Sequence, residues 1–293
     1  MQSAVEIKRR INAVEQTRKV TGIMQLTASV RTKNAMQHNA YNHHYFSELQ
    51  KAMKMLLAVS DSVSNPYLDG RGGDRKMYIV VGSQKGMVGQ YNLSVLRFAE
   101  DILRQNPQHV LMTIGRISEA YFCAHGFRID ASKDGLTTPP RLSRARHIMT
   151  EIIDRYDNNE IDEAYIIFTS LYGKNKNKPV IRRLLPIKLS DYNDVGDVAK
   201  LSEIIYNPMP GELFNNLVPQ FMQSYIYGVL IQAYTTENYM RMIAMQSATR
   251  NADELLKKLK SRYNMVRQST ITQEITEITG SSEILTEEEN TDE

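Results

Sequence analysis

The sequence predicts an α/β domain inserted between two long helices that pair as an antiparallel coiled coil. Residues 3–60 contain no proline and one glycine, Gly22, and residues 220–279 contain no proline and one glycine, Gly228. Each run is longer than an ordinary globular helix. Between them, buried-strand patterns alternate with amphipathic helices. Because neither long helix can bury an apolar face alone, we expect the two ends of the chain to pack together.

The bulk composition allows one large domain or two ordinary ones. The chain has 293 residues, of which 42% are hydrophobic and 24% are charged. No apolar run reaches the roughly 18 residues that read as a membrane-spanning helix. Residues 1–10 do not resemble a secretory signal. Cys123 is the single cysteine, which argues against a disulfide framework and favours a reducing cytosol.

Charge is distributed unevenly along the chain. Residues 1–59 hold nine Lys or Arg against three Glu, a net charge of +6. Residues 281–293 hold six acidic residues and no basic one. The basic run is either a solvated helix face or a surface for an acidic protein or a nucleic acid. The acidic segment, residues 280–293, is typical of a disordered tail.

Residues 1–60 are predicted to be the N-terminal coiled-coil helix. Their apolar spacing suits a helix with one buried stripe, and Thr21 and Ala28 add small side chains that permit close helix packing. The turn-rich stretch 60–73 ends this helix. The apolar positions are Val5, Ile7, Ile11, Val14, Val20, Ile23, Met24, Leu26 and Val30.

Residues 74–190 are predicted to form the α/β domain, with a Rossmann-like, mostly parallel sheet. Short apolar runs bounded by turn residues give the strands, and amphipathic spacing gives the helices. The strands are predicted at 76–82, 109–114, 127–131, 164–171 and 180–187, the last as a hairpin partner, and the helices at 93–104, 116–125 and 143–156.

Residues 189–211 read as a linker, because Pro208 and Pro210 interrupt any helix there. The C-terminal coiled-coil helix is predicted over residues 211–279. Its middle part again uses small residues, Ala244 and Ala248, at stripe positions. We therefore expect a seam of small side chains between the two long helices.

The glycine-rich stretch GSQKGMVGQYN, residues 82–92, follows a strand and precedes a helix, which is where a phosphate-binding loop would lie. Its spacing fits neither common nucleotide-binding motif, so a structural turn is the favoured interpretation. His43 and His44 are neighbours and point to different sides of a helix. No zinc motif or nucleophile elbow is present. The residues alone therefore indicate no active site.

The two ends of the chain resemble a known family, the gamma subunit of F-type ATP synthase. Residues 7–29 read IKRRINAVEQTRKVTGIMQLTAS and are similar to the family's first helix. Residues 240–259 read MRMIAMQSATRNADELLKKL and resemble its C-terminal signature, which YNMVRQSTITQEITEI at 263–278 continues. IYNPMP at 205–210 resembles the stretch before its last helix. Gln84 and Val88 depart from the Asp and Cys usual in the family's central loop, which marks a divergent member. The resemblance implies a bacterial source.

The resemblance implies a non-catalytic rotary shaft in a proton-translocating ATP synthase. The shaft would couple ion flow through the membrane rotor to ATP synthesis on the alpha/beta ring. Its partners would be the alpha and beta ring subunits, the epsilon subunit and the c-ring of the rotor, with the delta subunit contacted indirectly. It implies no cofactor and no metal. The protein would lie peripherally at the cytoplasmic face of the bacterial inner membrane, held there through partners only.

The resemblance also implies contact residues. The side chains facing the ring's catch loop would be Arg267, Gln268, Thr272 and Glu274. Weaker ring contacts would be Lys8, Arg9 and Arg10. The foot loop would comprise Lys85, Gly86, Gly89, Tyr91, Asn92 and Tyr206.

The residues alone leave two other classes of protein open. A coiled-coil scaffold or nucleic-acid-binding protein with an α/β head would explain the basic first helix, but not the match at 240–278. A nucleotide-binding enzyme would depend on the glycine-rich stretch alone. The family resemblance favours a shaft that binds no nucleic acid.

Overall fold

The computed structural model describes residues 4–59, 65–170, 177–188, 191 and 210–289, with side chains for all of these except 57–59, 210–211 and 280–289. Two very long helices enclose a set of strands and shorter helices in the sequence. The elements are α1 (Ala4–Val59), α2 (Pro66–Asp69), β1 (Lys76–Val81), α3 (Tyr91–Gln105), β2 (His109–Ile114), α4 (Arg116–Ala124), β3 (Ala131–Lys133), α5 (Leu142–Asp157), β4 (Glu163–Thr169), β5 (Pro179–Leu185) and α6 (Pro210–Glu289).

The chain divides into two compact units, and α1 and α6 contribute to both. One unit combines Met1–Leu26 with Ile243–Glu293, and the other is Thr27–Met242. The backbone of α6 remains helical to Glu289, beyond the end that the sequence predicted at residue 279. No proline between 280 and 289 stops it. Disorder of residues 280–293 in solution stays a prediction.

The sheet of the Thr27–Met242 unit is mixed and mostly parallel, as predicted. Its strand order is β3-β2-β1-β4-β5. Strand β1 pairs in parallel with β2 and with β4, and β2 pairs in parallel with β3. Strand β5 runs antiparallel to β4, which agrees with the expected hairpin. Strand β1 is therefore the central strand. After β3 at one edge of the sheet, the chain passes back over the sheet to β4, on the other side of β1.

The third strand lies further along the chain than the predicted range 127–131. The ladder with β2 begins where Met112 pairs with Ala131. Residues Phe127 and Ile129 instead pack their side chains against the core beside α3 and α4. Apolar side chains before β3 thus fill the core without belonging to the sheet, which explains the misplaced prediction.

Alternate residues of β1 face two separate cores. Met77, Ile79 and Val81 pack against α5 and against the parts of α1 and α6 in the same unit. Tyr78 and Val80 pack against α3 and α4. A strand covered on both faces needs a continuous apolar run, which is why KMYIVV was recognisable in the sequence.

The buried side of α1 follows a seven-residue repeat, the spacing typical of a coiled coil. Many of its members are small or polar, so hydropathy alone does not reveal it. Thr21 and Ala28 of the predicted seam are buried, and Ala244 and Ala248 of α6 are half-buried. The α1 positions on this repeat that are buried or half-buried include Ile7, Ile11, Val14, Thr21, Ala28, Thr32, Ala35, Leu49, Met53 and Leu56.

The predicted apolar stripe of α1 is wrong for several of its members. Val20, Ile23, Leu26 and Val30 are exposed, as is Val5. The reason is the helix register: the seven-residue repeat passes through Thr21 and Ala28, which turns the neighbouring large side chains outward. The expected seam of small side chains does include Thr21 and Ala28, which are buried, whereas the large apolar residues assigned to the same stripe lie outside it.

Within the unit formed by Met1–Leu26 and Ile243–Glu293, α1 and α6 pack antiparallel. The α6 side chains alternate at spacings of four and three residues. They are Met245, Thr249, Ala252, Leu256, Leu259, Tyr263 and Val266, all buried or half-buried. The contacts include the cluster of Ile7, Ile11, Leu256 and Leu259, the hydroxyls of Thr21 and Thr249 at 2.8 Å, the ion pair of Lys260 with Glu15 at 2.9 Å, and the ion pair of Arg18 with Asp253.

The two helices also pack antiparallel within the Thr27–Met242 unit. The Asn42 side-chain amide donates to the carbonyl oxygen of Ser224 at 3.2 Å, and the rings of Phe46 and Phe221 lie 4.9 Å apart. A Cβ at Gly228 would lie 2.7 Å from the amide nitrogen of Asn42. The glycine that seemed an isolated interruption of the last helix therefore permits close contact with α1.

An ion pair anchors the segment that leads into β1. The Asp162 carboxylate accepts hydrogen bonds from the Arg75 guanidinium at 2.9 and 2.8 Å, and from the Arg75 backbone amide at 3.0 Å. These bonds lower the pKa of Asp162. Gly73 passes so close to this carboxylate that a Cβ there would overlap it.

We expect Ile11→Ala to lower the free energy of unfolding by about 2–4 kcal/mol, because a buried isoleucine leaves a cavity in the helix seam. Ile23→Ala is the matched control on the same helix. Ile11 is 8% exposed and Ile23 is 65% exposed, so the control should change stability by less than about 0.5 kcal/mol. Urea unfolding followed by circular dichroism measures both. Equal losses would show that the seam is misassigned.

We expect Asp162→Asn to lower stability by about 1–3 kcal/mol at neutral pH, since it removes charge-assisted hydrogen bonds from Arg75. The folded-state pKa of Asp162 is depressed, so its contribution is present above the unfolded-state pKa of about 4 and is lost as the pH falls below that value. The difference from the unmodified chain should therefore shrink in acid. Exposed Asp101→Asn is the control, and a difference that does not vary with pH contradicts the assignment.

Candidate functional site

The loop between β1 and α3, residues 82–90, lies where open α/β sheets bind ligands, beyond the carboxyl end of the central strand. Its base is fixed by hydrogen bonds between Ser83 and Asn92, the second residue of α3. The backbone amide of Ser83 donates to the Asn92 side-chain oxygen at 3.0 Å, and the Asn92 amide donates to the Ser83 hydroxyl at 2.7 Å. The Ser83 hydroxyl donates to the Lys85 carbonyl oxygen at 2.9 Å. These hydrogen bonds fix the base of the loop against the start of α3.

Gln84, which replaces the Asp usual in the resembled family, also bonds within the protein. Its side-chain oxygen accepts from the backbone amides of Gly135 at 2.5 Å and Arg116 at 3.3 Å. Gly115, with φ of 104°, passes so close that a Cβ would lie 2.6 Å from the carbonyl oxygen of Gly82. Gly115 therefore allows the turn after β2 to pack closely against the first residues of this loop.

Helix α6 lies against the elements at this edge of the sheet. The Tyr91 hydroxyl, which is buried, donates to the carbonyl oxygen of Ala233 at 3.4 Å. The Thr236 hydroxyl is 3.4 Å from the carbonyl oxygen of Thr169 at the end of β4. Burial raises the pKa of the Tyr91 hydroxyl well above its usual range, so it stays neutral. In sheets of this kind the crevice usually holds a cofactor, whereas here a helix of the same chain packs against it.

Sequence reasoning missed an ion pair beside this loop. The carboxylate of Glu237 accepts from the Arg241 guanidinium at 2.7 Å, and Glu237 is buried. Burial raises the pKa of Glu237, and the charge and hydrogen bond of Arg241 oppose that rise. The only sequence signal is the Glu–Arg spacing of four residues, which is equally typical of a solvated helix face.

The predicted foot-loop residues have different surroundings. Lys85 and Gly86 are exposed at the loop tip, and Gly89 adopts a φ of 60°. Tyr91 and Asn92 face inward and hold the loop as described above. Tyr206 lies outside the described residues. The structure therefore places three of these positions in the loop and two at the start of α3, and only part of this set is accessible to another protein.

The predicted catch-loop contacts lie on the distal part of α6, beyond the seam residue Val266. All four side chains are exposed, and three isoleucines beside them are exposed too: Ile271 by 44%, Ile275 by 58% and Ile278 by 69%. At 3.6 residues per turn, these seven positions fall within an arc of roughly 160°. The seven are Arg267, Gln268, Ile271, Thr272, Glu274, Ile275 and Ile278.

The opposite side of the same helical segment is polar. It carries Ser269, Thr270, Gln273, Thr276 and Glu277. Exposed isoleucines confined to one side of a helix indicate a surface that another protein covers. We name the seven-residue face the distal α6 face. The three weaker candidates Lys8, Arg9 and Arg10 are also exposed, in the same unit, next to Ile7 and Ile11 of the seam.

Two further observations concern the described part of the chain. Among those residues, no group of three or more His, Cys, Asp or Glu side chains is arranged to hold a metal ion. None of the described helices combines the length and the apolar character needed to cross a membrane.

Comparison with known proteins agrees with this architecture. A family model described as ATP synthase matches residues 3–285. The ATP synthase gamma chain of Acetivibrio thermocellus is 34% identical over 289 residues, covering 96% of this chain and 98% of the relative. The sodium-ion-specific ATP synthase gamma chain of Acetobacterium woodii is 30% identical over 295 residues, with coverages of 96% and 98%.

Solved structures share the fold. A chain from the Euglena gracilis mitochondrial ATP synthase (OSCP/F1/c-ring) has a TM-score of 0.66 at 14% identity, covering 96% of this chain and 94% of that one. A chain from the Tetrahymena thermophila mitochondrial ATP synthase, in a structure of its central stalk and c-ring, has a TM-score of 0.60 at 17% identity, covering 78% and 99%.

The matched family model places the chain in the ATP synthase class of proteins. Full-length similarity to curated gamma chains narrows that class to one subunit. The chain belongs to the ATP synthase gamma chain family. The resemblance found in the residues at 7–29 and 240–278 is thereby confirmed.

We expect ATP not to shift the unfolding temperature of the isolated chain, because side chains and backbone groups of the loop after β1 already bond within the chain, and α6 packs against this edge of the sheet. Thermal unfolding with ATP from micromolar to millimolar concentrations measures this. A site with ligand at about a hundred times its Kd would stabilise the chain by about 2.7 kcal/mol. A saturable rise in the unfolding temperature would instead support a nucleotide-binding enzyme.

Proposed function

We propose that this chain is the central-stalk shaft of an F-type ATP synthase. It couples ion flow through a membrane rotor to ATP synthesis on the ring of alpha and beta subunits. Family membership supports the proposal, as does the fold shared with a chain of the Tetrahymena central stalk and c-ring. On this proposal the chemistry occurs on the ring, and the present chain transmits motion.

The observation that carries the proposal is the distal α6 face. Ile271, Ile275 and Ile278 expose apolar surface where the seam with α1 has ended at Val266. A helix of this kind suits insertion into the centre of a ring, where other subunits would cover the apolar side chains. Arg267, Gln268, Thr272 and Glu274 on the same face would supply hydrogen bonds to the ring's catch loop. Lys8, Arg9 and Arg10 would meet acidic groups of the ring.

The remaining assignments follow from this arrangement. Residues 1–60 and 211–279 would form the shaft, residues 74–190 would meet the epsilon subunit and the c-ring, and residues 280–293 would form a disordered acidic tail. The delta subunit would be reached indirectly. The assembled complex would hold the chain peripherally at the cytoplasmic face of the bacterial inner membrane. One relative is specific for sodium ions, so the family is not confined to proton-driven motors.

We expect Arg267→Ala to lower both ATP synthesis and ATP hydrolysis by the assembled complex. A planar guanidinium bonds a carboxylate or a carbonyl through several donors, and alanine supplies none. Lys257→Ala is the matched control, because Lys257 is an exposed cation on the same helix outside the distal α6 face. Rates are compared at equal content of assembled complex. Unchanged rates for Arg267→Ala contradict the assignment of this residue.

A further inference from the structure

The loop after β1 has an exposed tip formed by Lys85, Gly86 and Met87. Met87 adopts a φ of 61°, in the left-handed region. The base of the loop is fixed by Ser83 and Asn92, as described above. The tip needs a separate restraint, because none of these hydrogen bonds extends to Gly86 or Met87.

Arg241 supplies that restraint from α6. Its guanidinium nitrogen Nη2 lies 3.3 Å from the carbonyl oxygen of Lys85 and 3.5 Å from that of Gly86. The same nitrogen donates to the Glu237 carboxylate at 2.7 Å, and Nη1 lies 3.4 Å from the Asn238 side-chain oxygen. The guanidinium holds Nη1 and Nη2 in one fixed plane, so Nη2 meets Glu237 and the loop carbonyls while Nη1 lies near Asn238; an ammonium group has a single nitrogen on a flexible stem and lacks this geometry.

Glu237 holds the guanidinium in that position. Both side chains are largely buried, at 4% exposure for Glu237 and 12% for Arg241. A buried ion pair adds little stability by itself, because desolvation offsets much of the attraction. This pair contributes little to stability but places a donor near two loop carbonyl oxygens. Its use is therefore to fix the position of the loop tip.

We propose that Glu237 and Arg241 are positioning residues, which fix the 85–87 tip to α6 so that the α/β domain and the helix move together under load. The role rests on the proposed function as a rotary shaft. Neither residue belongs to the distal α6 face, which is the surface proposed to meet the ring. Their loss should therefore loosen the tip and uncouple rotation from ion transport, while leaving ATP hydrolysis by the ring largely intact.

The test uses Arg241→Lys, which keeps the charge and removes the planar fork. Hydrogen exchange of the 82–92 segment in the isolated full chain should be about tenfold faster, with exchange of β1 unchanged. In the reconstituted complex, ATP-driven ion pumping should fall while hydrolysis is retained. Arg250→Lys is the matched control, an exposed arginine on the same helix.

The double variant Glu237→Gln, Arg241→Met keeps the test decisive if Arg241→Lys does not fold, because it leaves no unpaired buried charge. Unchanged exchange of the 82–92 segment in the folded variants overturns the positioning role. Faster exchange with an unchanged ratio of pumping to hydrolysis overturns the coupling role. An unmodified chain that fails to support pumping in the complex contradicts the proposed function itself, which is a separate result.

Discussion

The close packing of two helices that cannot fold alone is the constraint on which the rest of this structure depends. The seam uses Thr21, Ala28 and Ala35 on α1, and Thr249 and Ala252 on α6. Side chains this small bury little apolar area each, so stability comes from many repeats of the contact and from the larger residues Ile7, Ile11, Leu256 and Leu259. Close approach also explains Gly228, where a side chain would collide with Asn42.

Much of the fold was predictable because the relevant signals are local. The strand at 109–114 was predicted with its observed bounds, since an apolar run between turn residues admits few other interpretations. The long helices followed from missing prolines. The seam of α1 was not predictable from hydropathy, because Val20 and Ile23 are more apolar than Thr21 and yet lie outside. Only the seven-residue spacing distinguishes them, and it becomes evident once the partner helix is placed.

Some of the candidate contact residues were likewise predictable from the sequence, and others were not. The positions Arg267 to Glu274 came from resemblance to a family, and the structure adds that three exposed isoleucines share their side of the helix. The Glu237–Arg241 pair had no distinguishing signal in the sequence, because the same spacing occurs on countless solvated helices. Its proposed role depends on the burial of both side chains and on contact with the backbone of a loop some 150 residues earlier in the chain. Such a contact becomes visible only after tertiary structure is known.

The outward-facing apolar residues of α1 bear on how this chain is made and handled. Val20, Ile23 and Leu26, like the isoleucines of the distal α6 face, are exposed to water in the isolated chain. Exposed apolar side chains on a helix face favour self-association at the concentrations used for purification. Synthesis together with the covering subunits should therefore improve yield, and a cell benefits from producing this chain in balance with its partners. The solubility of the chain, as well as its motion, then depends on the apolar residues of α1 that lie outside the seam.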